Sequence, residues 1–360
     1  MAQEASPHAV FADRAAASIA RRSRLAGDAG RDGMTMPSIV ADSITQLPPG
    51  CSGKAVIAAS HGGLYSAHCA LAAAVEGAIF CDAGIGRERA GVAGLSFLDQ
   101  HQIPAAAIGH ASARIGDGAD CMSRGILTVV NDAARRIGIR AGMPASDAAA
   151  MLQAALDRQH LRTLAFASEV MEARSTMIPR HSRDPSVRRE AQFAPDQVRF
   201  EIEDFLPVPV VAIDSNSLVS ERDSRSIVLT GSHGGLLGGR SDRAIKNRVF
   251  AVVYNDADVG ADGAGISRLG ALDELEIPAA TVSAWSARIG DGRSTYLDGF
   301  ITHLNRSAIA LGGERGISSR AFVARLAEAW VKGRGVTSEP DDRSDTAQCT
   351  TDNDRRPRAG

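Results

Sequence analysis

The sequence predicts an α/β protein that consists of internally duplicated three-layer units with mostly parallel sheets, related by a pseudo-twofold axis. Three observations support this fold class. The tetrapeptide Ser-His-Gly-Gly occurs at 60–63 and again at 232–235. The residues on both sides of the two copies also match each other. In each copy, short β-branched runs alternate with helical segments, which is typical of a parallel sheet covered on both faces.

The similarity extends well beyond the tetrapeptide. The dipeptide Asp-Ser at 42–43 matches the one at 214–215, at the same offset of 172 residues. A two-residue insertion in the second copy then changes the offset to 174, and the segment SARIGDG occurs at 112–118 and at 286–292. Self-similarity of this length indicates two copies of one structural unit.

Each copy is expected to contain three buried strands that end in turns, with helices between them. A closing helix that ends near a glycine completes each copy. In the first copy these segments are KAVIAAS, the Ala-rich helix 65–76, GAIFCDAG, GLSFLDQH, IPAAAIG and the closing helix GILTVVNDAARRIG. In the second copy they are RSIVLTGS, RVFAVVYNDAD, RLGALDEL, IPAATVS and the closing helix GFITHLNRSAIALG.

The chain divides into five regions by composition. Polar, non-periodic ends predict disorder, and a helix at 146–174 followed by a Pro-punctuated, Arg-rich stretch predicts a connector. The regions are a disordered extension at 1–35, the first repeat at 36–158, the connector at 159–209, the second repeat at 210–336 and a disordered tail at 337–360. The stretch Arg180–Arg189 is interpreted as a surface linker rather than a contact surface for a larger complex.

The composition of the chain indicates which kinds of binding partner and which cellular compartment are expected. The chain has 360 residues, of which 44% are hydrophobic, and a net charge of -2. A near-neutral chain gives no electrostatic reason to expect nucleic acid or a membrane surface as a partner. Its five cysteines lack the paired spacing of zinc sites or redox pairs, so reduced thiols and a cytoplasmic location are expected. The expected partner is a small molecule, and a homo-oligomer stays open.

The shared motifs all fall where a ligand would be expected to bind. In parallel α/β sheets, ligands bind outside the carboxyl ends of the strands, and each motif follows a predicted strand. A histidine there can serve as a general acid or base, and an aspartate can orient the imidazole or bind a cation. The candidate catalytic residues are therefore His61, Asp82, His233 and Asp256.

The glycine turns and the arginines are candidates for substrate binding. Backbone N–H groups at such turns can cradle an oxyanion, and an arginine fork can bind a carboxylate. The alternative is that Arg114 and Arg288 pair with Asp117 and Asp291, and the serine of the motif is interpreted as a helix cap rather than a nucleophile. The substrate-binding candidates are Ser60, Gly62, Gly63, Ser112, Arg114, Ser232, Gly234, Gly235, Ser286 and Arg288.

The cofactor is not specified by the sequence. Asp256 and Asp258 form an Asp-x-Asp pair that can share a divalent metal ion, although so short a motif is weakly specific. The copies also differ: His110 and Cys81 in the first copy correspond to Ala284 and Asn255 in the second. The first copy is favoured as the active one, with a composite cleft between the two as the alternative.

The functional hypothesis is an enzyme that acts on a small anionic metabolite. Hydrolysis of a C–N bond, in an amide or a cyclic amide, is the first guess at the reaction. A lyase or an isomerase could use the same site. The rival hypothesis is a non-catalytic protein that binds a small anionic ligand. The chain has no G-x-S-x-G elbow, P-loop, G-x-G-x-x-G turn or H-E-x-x-H motif that would decide between them.

Overall fold

The protein is an α/β protein with two mixed, mostly parallel sheets. The computed structural model describes residues 38–174, 199–202 and 206–336. The first sheet has five strands in sequence order, of which the last is antiparallel to its neighbour. These strands are β1 (Ile39–Ala41), β2 (Ala55–His61), β3 (Gly77–Cys81), β4 (Ala105–Ile108) and β5 (Leu127–Val130).

The second sheet has six strands, also in sequence order, and both of its edge strands are antiparallel to their neighbours. The four strands between them are parallel. They are β6 (Arg199–Ile202), β7 (Val210–Ile213), β8 (Ile227–His233), β9 (Ala251–Asn255), β10 (Ala279–Val282) and β11 (Ile301–Leu304). β6 lies within the region expected to be a connector and was not predicted.

Nine helices accompany the sheets within the described ranges. In the first half they are α1 (Leu64–Ala72), α2 (Ala93–Gln100), α3 (Gly118–Arg124), α4 (Asp132–Arg136) and α5 (Ala145–Arg174). In the second half they are α6 (Arg268–Glu274), α7 (Gly292–Leu297), α8 (Arg306–Ala310) and α9 (Ser319–Val336). The helix predicted at 146–174 is therefore present as α5, whereas short 3-10 turns at Leu237–Gly239 and Ser241–Arg243 stand in the second half where the first has α1.

Each sheet has a hydrophobic core on both of its faces. In β2, Val56 packs with α1 and α2, whereas Ile57 packs with α5 on the opposite face. Successive right-handed crossovers between adjacent parallel strands place α1 and α2 on the same face. The second sheet likewise has one core with α6 and another with α7 and α9. Alternation along fully buried strands thus builds two cores per sheet.

The prediction of a closing helix was wrong for the first part of that segment. Its β-branched residues form β5 in the first half and β11 in the second, and only the last part of each segment is helical. The change occurs at Asn131 and Asn305, which cap α4 and α8. Apolar runs of this length do not distinguish strand from helix, whereas an asparagine N-cap marks where the helix begins.

Several predictions concern residues outside the described ranges. They are the disorder expected at 1–35 and 337–360 and the linker expected around Arg180–Arg189. Within the described ranges, no helix combines the length and the hydrophobicity needed to cross a membrane.

Asn131→Ala is expected to destabilise the first half by at least about 2 kcal/mol, because it orphans several buried backbone groups. Asn131 accepts hydrogen bonds from Ala105 N and Ala134 N and donates to Ile103 O. Urea unfolding followed by circular dichroism measures the loss. The exposed neighbour provides the control: Asp132→Ala should change the free energy of unfolding by no more than about 0.5 kcal/mol. Equal effects of the two variants would contradict this role.

Candidate functional site

The carboxyl ends of the two sheets meet at a junction, defined here by a small apolar cluster with residues from both halves. Cys81, Ala83 and Ile115 of the first half pack there against Ala257, Ala264 and Ile289 of the second half, and all six are buried. The motifs that follow the strands therefore contact one another across the junction instead of lining an open cleft.

Backbone hydrogen bonds also cross the junction. Arg87 N donates to Ala284 O, and Ala261 N donates to His110 O, each at 2.8 Å. The corresponding positions of the two halves thus exchange similar bonds: residue 87 matches 261, and residue 110 matches 284, at the offset of 174. Contacts of this kind fix the turns of one half against those of the other.

The turns after β3 and β9 have strained backbones. Non-glycine residues with positive φ cluster there, including the β-branched Ile85 and Val259, each at φ 62°. Such conformations cost about 1–3 kcal/mol each and persist only where the surroundings hold them. The two turns are therefore set by the contacts at the junction rather than by local preference.

The two motif histidines lie in this junction, and both are buried. A register shift precedes each of them in its strand, so that His61 pairs with Cys81 and His233 with Asn255. Nδ1 of His61 accepts a hydrogen bond from Gly63 N at 3.1 Å, and Nδ1 of His233 accepts one from Gly235 N at 3.1 Å. Each neutral ring therefore carries its proton on Nε2.

Burial lowers the pKa of both histidines. The pKa of His61 falls to about 4 for this reason. The pKa of His233 falls well below its ordinary range because of burial first, and then because of the nearby Arg268 and His61. Both imidazoles are thus neutral at pH 7. Among the described residues, no hydrogen bond or ion pair joins His61 to Asp82 or to Arg114.

The other members of the motif are occupied within the chain. Gly62 N donates to Cys81 O at 2.9 Å, and Gly63 N donates to His61, so both N–H groups are engaged. Ser60 caps no helix; its Oγ accepts a hydrogen bond from Ile44 N at 3.0 Å. Likewise Gly234 N donates to Asn255 O, Gly235 N to His233, and Asn216 N donates to Ser232 Oγ.

A second set of groups makes a charged centre at the edge of the junction. Asp82, at the end of β3, lies with its Oδ1 3.1 Å from His110 Nδ1. The other ring nitrogen, Nε2, lies 3.3 Å from Oδ2 of Asp258, which belongs to the second half. The imidazole of His110 is therefore held between two carboxylates, one from each half. Asp82, His110 and Asp258 are named the His110 centre below.

The carboxylate of Asp82 is buried, but it accepts several hydrogen bonds from neighbouring residues. Burial disfavours its charge, yet hydrogen bonds from the His110 ring and backbone, from Thr128 and from Gly84 outweigh burial and lower its pKa. Thr128 Oγ1 donates to Oδ2 at 2.8 Å, and His110 N donates to Oδ1 at 2.8 Å. A carboxylate held by so many donors stays ionised and fixes the orientation of the ring.

His110 has the opposite character to the motif histidines. The hydrogen bond to Asp82 raises its pKa, burial opposes this, and the charges of Asp82 and Asp258 add to the rise. Its side chain is 25% exposed, and that of Asp258 is 40% exposed. Trp285, which is 60% exposed, donates from Nε1 to the other oxygen of Asp258 at 3.3 Å. The centre therefore reaches solvent next to an aromatic side chain.

His110 was not among the predicted catalytic residues. The sequence signal for the centre is a difference between the two copies. The first copy has His110 where the second has Ala284, and the second copy has Asp258 where the first has Gly84. Among the described residues no imidazole donates a hydrogen bond to the corresponding Asp256, which lies near His303 and accepts backbone hydrogen bonds from Asp258 N and Ala284 N. Burial raises the pKa of Asp256, and these bonds oppose the rise.

The predicted carboxylate-binding arginines are paired with acidic side chains. Arg114 lies 3.0 Å from Asp117 and 3.1 Å from Asp120. Arg288 lies 2.8 Å from Asp291 and 3.3 Å from Glu88 of the other half. The predicted Ser112 and Ser286 close their own loops by donating to Gly109 O and Ser283 O.

The metal and pocket geometry adds two further observations. Among the residues that the structure describes, no group of three or more His, Cys, Asp or Glu side chains is arranged to hold a metal ion. Asp256 and Asp258 thus have no third such ligand beside them among these residues. Two surface depressions of about 490 Å³ and 420 Å³ lie on the second half, and neither is lined by the His110 centre.

Comparison with protein-family models, with curated proteins and with solved structures found no match.

The pKa of His110 is expected to lie above 6.5, and Asp82→Asn should lower it more than Asp258→Asn, because Asp82 makes the main contribution. Histidine-selective NMR titration measures all three midpoints. Asp262→Asn provides a control, since it removes an exposed carboxylate on the neighbouring turn and should leave the midpoint nearly unchanged. If Asp82→Asn has no effect on the His110 midpoint, the pairing is incorrect.

Asp214, which follows β7, is a half-buried carboxyl group, and its desolvation raises its pKa to about 7; the N–H of Gly292 opposes this rise and the charge of Asp291 adds to it. Gly292 N donates to its Oδ1 at 3.0 Å. Between about pH 4 and pH 7 the folded protein retains a proton that the unfolded chain releases. This group therefore stabilises the fold less as the pH rises towards 7.

Asp214→Asn keeps an oxygen for Gly292 N–H and removes the buried charge. It should stabilise the protein at pH 8, on the order of 2 kcal/mol, and by much less at pH 4. Denaturant unfolding at the two pH values measures the difference. At the matching position, Asp42 lies 3.3 Å from Arg243, so Asp42→Asn should give no gain at pH 8. A gain from Asp214→Asn that is independent of pH would refute this explanation.

Proposed function

We propose that the protein is an enzyme that performs acid–base chemistry on a small polar molecule at the His110 centre. The observation that carries this proposal is the imidazole held between Asp82 and Asp258. A carboxylate on one ring nitrogen orients the ring and raises its basicity, and the other nitrogen can then exchange a proton with a substrate.

Each residue of the centre has a distinct role in this proposal. Asp82 keeps a proton on Nδ1 of His110 and stabilises the imidazolium. Nε2 is the atom that gives or takes the proton, and a substrate reaches it by displacing the half-exposed Asp258. The exposed indole of Trp285 would lie against the bound molecule and, through its bond to Asp258, position that carboxylate.

Hydrolysis of a C–N bond stays the first reaction to test. In that reaction water would attack the carbonyl carbon, the His110 imidazolium would protonate the departing nitrogen as the C–N bond breaks, and the resulting imidazole would take up the proton released by the water. The arginines expected to hold an anionic substrate are engaged with carboxylates, so their geometry does not support an anionic substrate over a neutral one. The roles of His61, His233 and Asp256 as catalytic groups, like the cytoplasmic location and a homo-oligomer, stay predictions.

We also infer that the two halves arose by duplication and are related by a pseudo-twofold axis. The consecutive strand order in both sheets, the capping by Asn131 and Asn305, and the paired contacts of His61 and His233 support this inference. In this view the His110 centre arose in one of two equivalent places, through the changes at residues 110 and 258.

The test uses a panel of primary amides and cyclic imides, such as benzamide, succinamate and succinimide, with products detected by NMR and ammonia release. Wild type should convert at least one member. His110→Gln should lose at least about 100-fold in rate with unchanged circular dichroism. His160→Gln, a change at an exposed histidine of the same half, should keep full activity.

Two outcomes contradict the proposal in different ways. No conversion of any amide would reject the C–N reaction. Conversion that is unaffected by His110→Gln would reject the site. If His110 acts as the acid, the rate should fall as the pH rises through its raised pKa, and Asp82→Asn should move that fall to lower pH.

A further inference from the structure

The repeated Ser-His-Gly-Gly motif has no place in the acid–base chemistry above, yet it occupies the junction between the halves. Gly290, at φ +85°, faces the ring of His61: a Cβ on it would lie 3.0 Å from His61 Cε1. Gly116, at φ +86°, faces His233 in the same way, at 3.3 Å. Each imidazole therefore fills the space that a glycine of the opposite half leaves open.

We propose that His61 and His233 form a proton-sensitive clasp. The two sheets stay docked while both imidazoles are neutral, and they separate with their own cores intact when both imidazoles are protonated. The clasp does not depend on any activity of the His110 centre.

The hydrogen bonds of the two rings tolerate only the neutral form. Nδ1 of each ring accepts an N–H from the glycine two residues later, at 3.1 Å. A proton on Nδ1 would place two donors against each other and break that bond. Each ring would then have to move or rotate. Because the ring packs against a glycine of the opposite half, this movement would break the contact between the halves.

In the part of the chain that the structure describes, no anion is paired with either ring to compensate such a charge. The charged side chains on the facing turns pair with each other, Arg288 with Asp291 and Arg114 with Asp117. Among the described residues, no carboxylate forms an ion pair with either ring.

The other charged groups next to the two rings do not neutralise a protonated imidazole either. Asp82 and Asp256, which follow the neighbouring strands, are bonded to their own turns. Arg268 is buried beside His233 and donates to Gly235 O at 2.7 Å, and its charge adds repulsion, as does the proximity of His61. Protonation of both rings therefore accumulates unpaired positive charge inside the junction, which is costly in a buried site.

The halves can separate because their cores do not depend on the junction. Each sheet has its own apolar core on both faces, with 17 and 14 buried residues in the first half and 16 and 13 in the second. The junction cluster has six buried residues, three of them alanines. Opening the junction thus exposes much less apolar surface than unfolding either half.

The experiment lowers the pH of the full-length protein from 7 to 3.5 and follows two signals. Small-angle X-ray scattering reports the separation of the halves, and far-UV circular dichroism reports the sheets. The radius of gyration should rise below about pH 5, while the circular dichroism is retained. Loss of both signals in one step, or no expansion down to pH 3.5, overturns the clasp.

Substitutions test whether the pH-dependent separation of the halves depends on the imidazoles of His61 and His233. His61→Asn together with His233→Asn places an amide oxygen where Nδ1 lies, which keeps the glycine N–H bonded and cannot be protonated in this range. The opening midpoint should fall by at least about one pH unit. His160→Asn provides the control and should open at the wild-type midpoint. An unchanged midpoint in the double variant overturns the proposal.

A direct measurement covers the case in which the double variant does not dock. The Cε1 resonances of His61 and His233 in the wild type are assigned through the two single asparagine variants and titrated by NMR. Both should stay in the neutral form until the protein expands. A midpoint near 6.5 for either ring in the closed protein would overturn the clasp as well.

Discussion

The contact between a buried neutral imidazole of one half and a glycine turn of the other is the constraint on which the docking of the two halves depends. Gly290 combines a positive φ with a ring packed against its missing side chain, so neither its backbone nor its surroundings accept a larger residue. His61 must in turn remain uncharged, since it is buried and forms no ion pair with any carboxylate of the described residues. The two sequence motifs that occur in both copies, Ser-His-Gly-Gly and SARIGDG, thus pack against each other across the junction.

Closure of this contact also assembles the His110 centre. His110 and Asp82 come from the first half and Asp258 from the second, and Asp258 approaches because residue 84 is glycine: a Cβ there would lie 2.3 Å from Asp258 Cβ. The segments whose sequences match supply the contacts of the junction, and the positions at which they differ supply the charged groups. An internal repeat therefore indicates where the halves join, whereas chemistry is better sought where the copies differ.

Much of the fold follows from the sequence, and less of the site does. β2, β3 and β4 were predictable because continuous apolar runs end in turns, but β5 was not, since Leu127–Val130 fits either a strand or a helix until a partner is known. His61 was placed correctly at a strand end. Its burial against the second half could not be predicted, because that depends on how the two sheets dock.

The strained turns are part of the energetics of the junction. Ile85 and Val259 hold positive φ values at a cost of about 1–3 kcal/mol each, and the surrounding contacts must offset that cost. The apolar cluster available for this purpose is small and rich in alanine. In the proposed clasp, separation of the halves would relax the turns, so the strain of the turns opposes the contacts that hold the junction closed. An unpaired charge placed within the junction would add to the terms that oppose closure, because a buried charge without a partner is costly.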